Sequence, residues 1–223
     1  MSLKIDLKIF GLLIVFYFTN QLNIYLMIML FAIIHELGHL VVGIILKEKP
    51  KEIKLNPFGL SMIFKINPND YNKKVKNANL VEIKKILIAS AGPLTNIIVI
   101  AIVNLLKIDI KHIDNIIYAN IIIAIFNLVP IYPLDGGRIL KSILHIFIGK
   151  IKSEKVMNDV SIIITICLTA IASIAIYYYK NIAILLIVIY IWFLVLNENR
   201  YYKIKCRIYK NLTQNWNIFV IFL

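Results

Sequence analysis

Charged residues are scarce in this 223-residue chain, at 17% of the sequence, whereas an average soluble domain has about a quarter. Hydrophobic residues make up 60% of the chain and are gathered into long runs. A helix that crosses a bilayer needs about 20 mostly apolar residues. The composition therefore excludes an ordinary soluble domain and predicts an integral membrane protein.

Cysteine is nearly absent. Cys167 falls in a predicted span and Cys206 in a basic tail, so the two are expected at different depths. A disulfide framework and a cysteine-rich metal site are both excluded. Gly/Ser-rich linkers and solenoid repeats are also missing. We therefore expect a single domain over residues 1–223.

The apolar runs predict an all-α polytopic membrane protein with about six transmembrane helices and a broken fourth span. The runs cover residues 7–19, 22–46, 85–106, 114–131 (continuing irregularly to about 149), 160–179 and 181–196. The first run is short, but no small-residue cleavage site follows it, so we interpret it as a membrane helix and not as a signal peptide. Between spans, "KLNPFGLSMIF" is typical of a small, membrane-associated β-hairpin.

Acidic residues are few: 12 Asp and Glu stand against 25 Lys and Arg, for a net charge of +13. All the basic residues except Lys107, Lys111 and Lys180 fall in segments that the predicted topology places on one side of the membrane. This asymmetry predicts that both termini are cytoplasmic. It favours contact of the basic loops with anionic lipid, and it argues against binding of nucleic acid.

The run "MLFAIIHELGHLVVGIIL" contains ionisable residues in the middle of a predicted span. On a helix, the HExxH pattern places His35 and His39 on one face, one turn apart, where their imidazoles can bind one zinc ion. Glu36 is then placed to take a proton from a zinc-bound water. Ionisable groups inside a membrane are costly and usually functional, so we predict a zinc site with Glu36 as the base.

The third protein ligand has to come from another segment, and Asp135 in "NLVPIYPLDGGRIL" is the candidate. Two prolines and two glycines predict that the span unwinds here. Unwound backbone is tolerated in a bilayer only where it lines a cavity or packs against protein. Two interpretations stay open: Asp135 turns inward as a metal ligand, or it caps a helix that starts near Arg138.

Two asparagines are candidates for contacting the substrate or the oxyanion that develops during catalysis. Asn96 ends "ASAGPLTN", whose small residues also suit tight helix packing, and it lies one turn inside the membrane. Asn127 begins the "NLVPIYPLDGG" element. An amide side chain can donate a hydrogen bond to an oxyanion, and for Asn96 a packing role is the alternative.

Together, "HELGH", "GPLTN" and "NLVPIYPLDGG" resemble the motifs of the site-2 protease family of intramembrane zinc metalloproteases. The resemblance covers residues from about 22 to 150, leaving 151–223 as C-terminal helices and a short basic tail. It implies one Zn²⁺ per chain, bound by His35, His39 and Asp135, with Glu36 as the catalytic base.

Within the family, the six-span plan is most similar to the stage IV sporulation protein FB branch, without its CBS domain. That resemblance implies regulated intramembrane proteolysis of a pro-sigma-K type precursor during sporulation, in the mother-cell-derived membrane around the forespore. It also implies membrane-bound inhibitor proteins as partners. The alternatives are another substrate, such as an anti-sigma factor, or a membrane zinc transporter. His112 and His145 lie near loop ends and do not extend a polar route beyond the site.

Overall fold

The computed structural model describes residues 2–5, 13, 17–18, 22–56, 59–65, 75–106, 113–179 and 182–221. In these ranges the chain is nearly all helical. The helices are α1 (Leu22–Ile45), α2 (Val75–Leu105), α3 (Ile113–Leu128), α4 (Asp135–Ile148), α5 (Lys150–Tyr179) and α6 (Ile182–Ile221). Three strands, β1 (Ser2–Ile5), β2 (Lys49–Asn56) and β3 (Gly59–Lys65), form one small sheet.

Four helices of the described ranges are long and apolar enough to cross a membrane. They are α1, α2 from Asn79, α5, and α6 over Ile184–Ile208. α3 is apolar but has only 16 residues. The chain is therefore a polytopic membrane protein, and the count of six spans stays a prediction because run 7–19 lies mostly outside the described residues. α6 continues as helix to Ile221, where the sequence predicts only a basic tail.

The sheet has β2 in its centre. β2 pairs antiparallel with β3 in the part of the chain where the hairpin is predicted, with an irregularity between Pro50 and Glu52. β1 pairs parallel with the other edge of β2, so that Leu3 faces Ile53. Its residues Ser2–Ile5 alternate polar and apolar side chains in the sequence, a strand pattern that was not recognised as one.

The contacts divide the chain into two compact units, Met1–Val129 and Pro130–Leu223. In the first unit, α1 packs against both α2 and α3, and the sheet lies beside α1. Phe31 and Ala32 of α1 meet Ala119 and Ile123 of α3 in its buried core. Small residues at this contact let the helix backbones approach closely, as is typical inside membranes.

In the second unit, α5 packs against α4 and α6. The buried residues of this unit include the apolar Met157 and Val195 and the polar Ser161 and Thr165. The hydroxyl of Thr165 donates to the Ser161 carbonyl at 2.7 Å, one turn earlier on α5. Such hydrogen bonds to the preceding turn satisfy a hydroxyl inside a membrane helix without a partner on another helix.

Candidate metal centre

His35 and His39 lie on one face of α1, as the four-residue spacing predicts. Both side chains are buried, with 2% and 3% of their surface exposed. Their Nε2 atoms are 3.3 Å apart, and the two rings stand nearly perpendicular, at 86°. Glu36, the next residue after His35, is half-buried. The four-residue spacing on one helix thus brings two imidazole nitrogens close together.

The opposite ring nitrogen of each histidine is held by α2. His39 Nδ1 lies 2.6 Å from the backbone carbonyl oxygen of Ile88, and His35 Nδ1 lies 3.2 Å from Oδ1 of Asn96. Both partners are oxygen acceptors, so each Nδ1 carries the hydrogen and each Nε2 carries a lone pair. Metal-bound histidines commonly donate a hydrogen bond from their second ring nitrogen in this way.

Two lone pairs that face each other at 3.3 Å repel, and a cation between or beside them removes that repulsion. Gly92 of α2 provides the space for such a cation. A Cβ atom at position 92 would meet Nε2 of both histidines, so the missing side chain leaves a cradle of about methyl size in front of the pair. Imidazole pairs of this kind suit zinc, and the described residues therefore fit a zinc ion.

Gly38 brings the two helices together at this level. A Cβ at position 38 would meet the hydroxyl of Thr95 and the carbonyl oxygen of Ala91, both on α2. The approach brings Ile88, Gly92 and Asn96, spaced by one turn each on α2, along the histidine face.

Asp135 lies in the second unit, where it is the first residue of α4 and is buried, with 4% exposure. Residues 129–134 are not helical, so the expected break in the span is present. The N-cap position of α4 is taken by Leu134, without a side-chain cap hydrogen bond. The interpretation of Asp135 as the cap of a helix that starts near Arg138 is therefore wrong.

The segment before Asp135 is held within its own unit. The backbone N–H of Tyr132 donates to Oγ of Ser161 on α5 at 3.1 Å, and the N–H of Leu134 donates to the Ile131 carbonyl at 2.8 Å. Gly137 lies directly against the backbone of residues 131–132, where a Cβ would clash. These contacts define where α4 begins and therefore where Asp135 stands in its unit.

Charged groups surround the same segment. The Arg138 guanidinium is 3.7 Å from the Asp135 carboxylate, and the Lys141 ammonium sits over the Tyr132 ring, 4.1 Å from its centroid. A partly exposed ion pair such as Asp135–Arg138 contributes little to stability.

The two candidate asparagines differ in their surroundings. Asn96 is completely buried and contacts His35, whereas Asn127 is half-buried and its amide donates to the Ile123 carbonyl one turn earlier, at 3.0 Å. The structure thus brings His35, His39 and Asn96 together in the first unit. The roles of Ile88 and Ser161 could not be predicted from the sequence, because a backbone carbonyl and an isolated serine carry no motif.

Comparisons with known proteins find similar sequences and a similar structure. The sequence profile of peptidase family M50 matches residues 110–171. A zinc metalloprotease of Methanocaldococcus jannaschii is 28% identical over 200 residues, which cover 85% of this chain and 52% of that protein. Stage IV sporulation protein FB of Bacillus subtilis is 29% identical over 126 residues, which cover 55% of this chain and 40% of that protein. The chain thus spans about half, or less, of the length of these relatives.

Among solved structures, the site-2 protease from Methanocaldococcus jannaschii is similar, with a TM-score of 0.65 and 23% identity. The match covers 88% of this chain and 89% of that one. At this identity the likeness shows a shared fold.

Proposed function

We propose that the chain is a zinc-dependent endopeptidase of the site-2 protease type that cleaves proteins in the membrane. Its similarity to peptidase family M50 over residues 110–171 and to a zinc metalloprotease of Methanocaldococcus jannaschii supports this proposal. The observation that carries the proposal is the pair of buried Nε2 atoms of His35 and His39, 3.3 Å apart in front of the Gly92 cradle. Glu36 beside them supplies the acid–base group that hydrolysis needs.

We propose that His35, His39 and Asp135 bind one zinc ion per chain. All three are buried, and two imidazoles with one carboxylate are a donor set that could hold a metal ion. Three protein ligands leave a fourth position for water, which is the arrangement of catalytic zinc sites. What supports Asp135 is its burial at the start of α4, directly after the non-helical segment.

The mechanism that we propose assigns one task to each group. Zinc, when bound, lowers the pKa of water and polarises a carbonyl group. Glu36 accepts the proton of the attacking water and later delivers it to the amine that leaves. The histidines, held by Ile88 and Asn96, keep their geometry while the substrate carbonyl changes from planar to tetrahedral. For the oxyanion, Asn127 remains a candidate donor.

A substrate helix has to unwind before its peptide bonds can be attacked, because helical carbonyls are already hydrogen-bonded. We propose that the unwound stretch adds to the sheet as a further strand. Since β1 and β3 occupy the two sides of β2, β3 (Gly59–Lys65) forms an edge of this sheet. An extended peptide binds such an edge through main-chain hydrogen bonds.

For the substrate, we propose a membrane-associated protein, with a sigma-factor precursor of the pro-sigma-K type as the first candidate. The similarity to a sporulation protein of Bacillus subtilis supports a role in sporulation. We include in the same proposal a membrane around the forespore and membrane-bound inhibitor proteins, and the distribution of basic residues supports cytoplasmic termini. The similarity to an archaeal protease supports the alternative, which is another substrate such as an anti-sigma factor.

The test is co-expression of the chain with a tagged precursor in a heterologous bacterial membrane. Wild type should cleave the precursor, Glu36→Gln should not, and both should hold zinc. Glu48→Gln is the matched control, because Glu48 pairs with Lys84, a contact that includes neither histidine, and its loss should leave cleavage unchanged. Cleavage by Glu36→Gln at the wild-type rate would show that Glu36 is not the base.

The ligand set is tested separately, by the zinc content of purified protein. Asp135→Asn should lower zinc affinity, whereas Asp114→Asn, at an exposed position in the first turn of α3, should not. Equal zinc binding by both variants would exclude Asp135 as a ligand. If wild type cleaves neither a sigma-factor precursor nor an anti-sigma factor but binds zinc, zinc uptake into sealed vesicles becomes the deciding assay for the transport alternative.

A further inference from the structure

We infer that Asn96 is a positioning residue, which holds His35 in the tautomer that presents Nε2 to the metal. Asn96 is completely buried, so both ends of its amide need partners inside the protein. Its Oδ1 lies 3.2 Å from Nδ1 of His35, and its Nδ2 lies 3.4 Å from the backbone carbonyl oxygen of Asn120 on α3. The side chain therefore links α1, α2 and α3 of the first unit.

The Asn120 carbonyl decides which way the Asn96 amide points. A carbonyl oxygen can only accept a hydrogen bond, so the NH₂ end of Asn96 has to face it. The oxygen end then faces His35 and accepts a hydrogen from Nδ1. With the hydrogen on Nδ1, the lone pair of His35 lies on Nε2, the atom that faces His39.

The reversed amide would have two unfavourable consequences. It would place two carbonyl oxygens, from Asn96 and Asn120, about as close as the donor and acceptor stand now. It would also offer an N–H group to Nδ1, which moves the hydrogen of His35 to Nε2 and blocks the metal. The orientation of one buried amide thus determines whether His35 can act as a ligand.

His39 does not depend on a particular residue in this way. Its Nδ1 faces the backbone carbonyl of Ile88, which almost any residue at position 88 would provide. For His35, the acceptor is a side chain. The identity of residue 96 should therefore matter for metal binding, while the identity of residue 88 should not.

This role differs from that of an oxyanion donor. The Asn96 carbonyl is engaged by His35, and its amide nitrogen is directed toward α3. Asn96 therefore acts through His35. The inference rests on the proposed metal site, but it does not depend on the proposed peptidase activity.

The experiment measures metal affinity of the full chain in detergent without substrate, by competition for Zn²⁺ with a chelating dye and by the visible spectrum of bound Co²⁺. Asn96→Leu removes the acceptor and should weaken Zn²⁺ binding by about 10- to 100-fold, the usual effect of losing such a partner. Asn96→Asp keeps an oxygen acceptor for His35 and, when protonated, an O–H donor for the Asn120 carbonyl, so it should bind Zn²⁺ more tightly than Asn96→Leu. Asn120→Ala keeps the backbone carbonyl and is the matched control for helix packing.

Three results would overturn the inference: unchanged affinity in Asn96→Leu, equal losses in Asn96→Leu and Asn96→Asp, or an equal loss in Asn120→Ala. Circular dichroism shows whether each variant is folded. If Asn96→Leu is not, Asn96→Ala takes its place with the same expected loss. Wild-type metal binding without cleavage would count against the proposed peptidase and would leave this inference standing.

Discussion

Gly92 lies so close to His39 that any side chain at position 92 would meet the imidazole Nε2. The same Cβ would also meet Nε2 of His35. A single missing side chain on α2 therefore keeps open the place that we propose for the metal ion, and this relationship leads to the first prediction.

Gly92→Ala should abolish zinc binding while leaving the helix intact. Alanine is a better helix former than glycine by about 1 kcal/mol, so α2 itself does not suffer. The methyl group, however, occupies the cradle in front of the two histidines. Zinc content measured on the folded variant should fall to background, and a variant that retains full zinc would disprove the position that we propose for the metal.

Gly38→Ala should act on stability, through packing of α1 against α2. Its methyl group would meet the Thr95 hydroxyl and the Ala91 carbonyl, and overpacking of this kind typically costs about 1–3 kcal/mol. Adding Thr95→Ala removes the first of these contacts and should restore part of the loss. Thermal unfolding in detergent compares the single and double variants; a double variant no more stable than Gly38→Ala would contradict this explanation.

Ser161→Ala should loosen the segment that precedes Asp135. The hydroxyl accepts from the Tyr132 N–H at 3.1 Å and donates to the Met157 carbonyl at 2.8 Å. Leaving a buried N–H without an acceptor costs about 1–3 kcal/mol. Hydrogen exchange in a peptide covering residues 129–134 should become faster, and zinc affinity should fall if Asp135 is a ligand.

Thr165→Val is the matched control for Ser161→Ala. Thr165 is equally buried on the same helix, and its hydroxyl donates to the Ser161 carbonyl. Valine keeps the shape of the threonine side chain and removes only this hydrogen bond. Exchange in residues 129–134 should stay at the wild-type rate. Equal acceleration in both variants would mean that α5 as a whole, and not the Tyr132–Ser161 hydrogen bond, controls the segment.

Removal of the metal should stop cleavage reversibly. A chelator that strips zinc from detergent-solubilised wild type should abolish cleavage of the precursor, and added Zn²⁺ should restore it, because Glu36 then again has an activated water to deprotonate. Glu36→Gln should bind zinc after the same treatment and still not cleave. Full cleavage by metal-free wild type would contradict a metalloprotease mechanism.

The pairing of His35 with His39 could be predicted from the sequence, because four residues make about one helical turn whatever the rest of the fold does. The predicted run 22–46 corresponds closely to α1, Leu22–Ile45. The break in the fourth span was predictable for the same local reason, since prolines and glycines act on their own backbone. It appears between the end of α3 at Leu128 and the start of α4 at Asp135.

Contacts between residues that are distant along the chain could not be predicted from the sequence. The polar–apolar alternation of β1 is a local strand signal, but its pairing with β2, which puts Ser2 in register with Glu52, is not local. The position of Asp135 as the first residue of α4, with Leu134 at the cap, depends on the contacts of residues 131–132 with Ser161 and Gly137. These contacts join residues that are distant in sequence, or backbone atoms that every residue possesses.

By itself the sequence determined the membrane-embedded class of this protein, the helical face that carries His35 and His39, and the break before Asp135. These features follow from composition and short-range periodicity. Only the tertiary structure decided which nitrogen of each histidine faces the metal position. That choice depends on the Ile88 carbonyl and the Asn96 amide, 49 and 61 residues away along the chain. A hydrogen bond is set by the distance and direction of two atoms in space, which sequence separation does not encode.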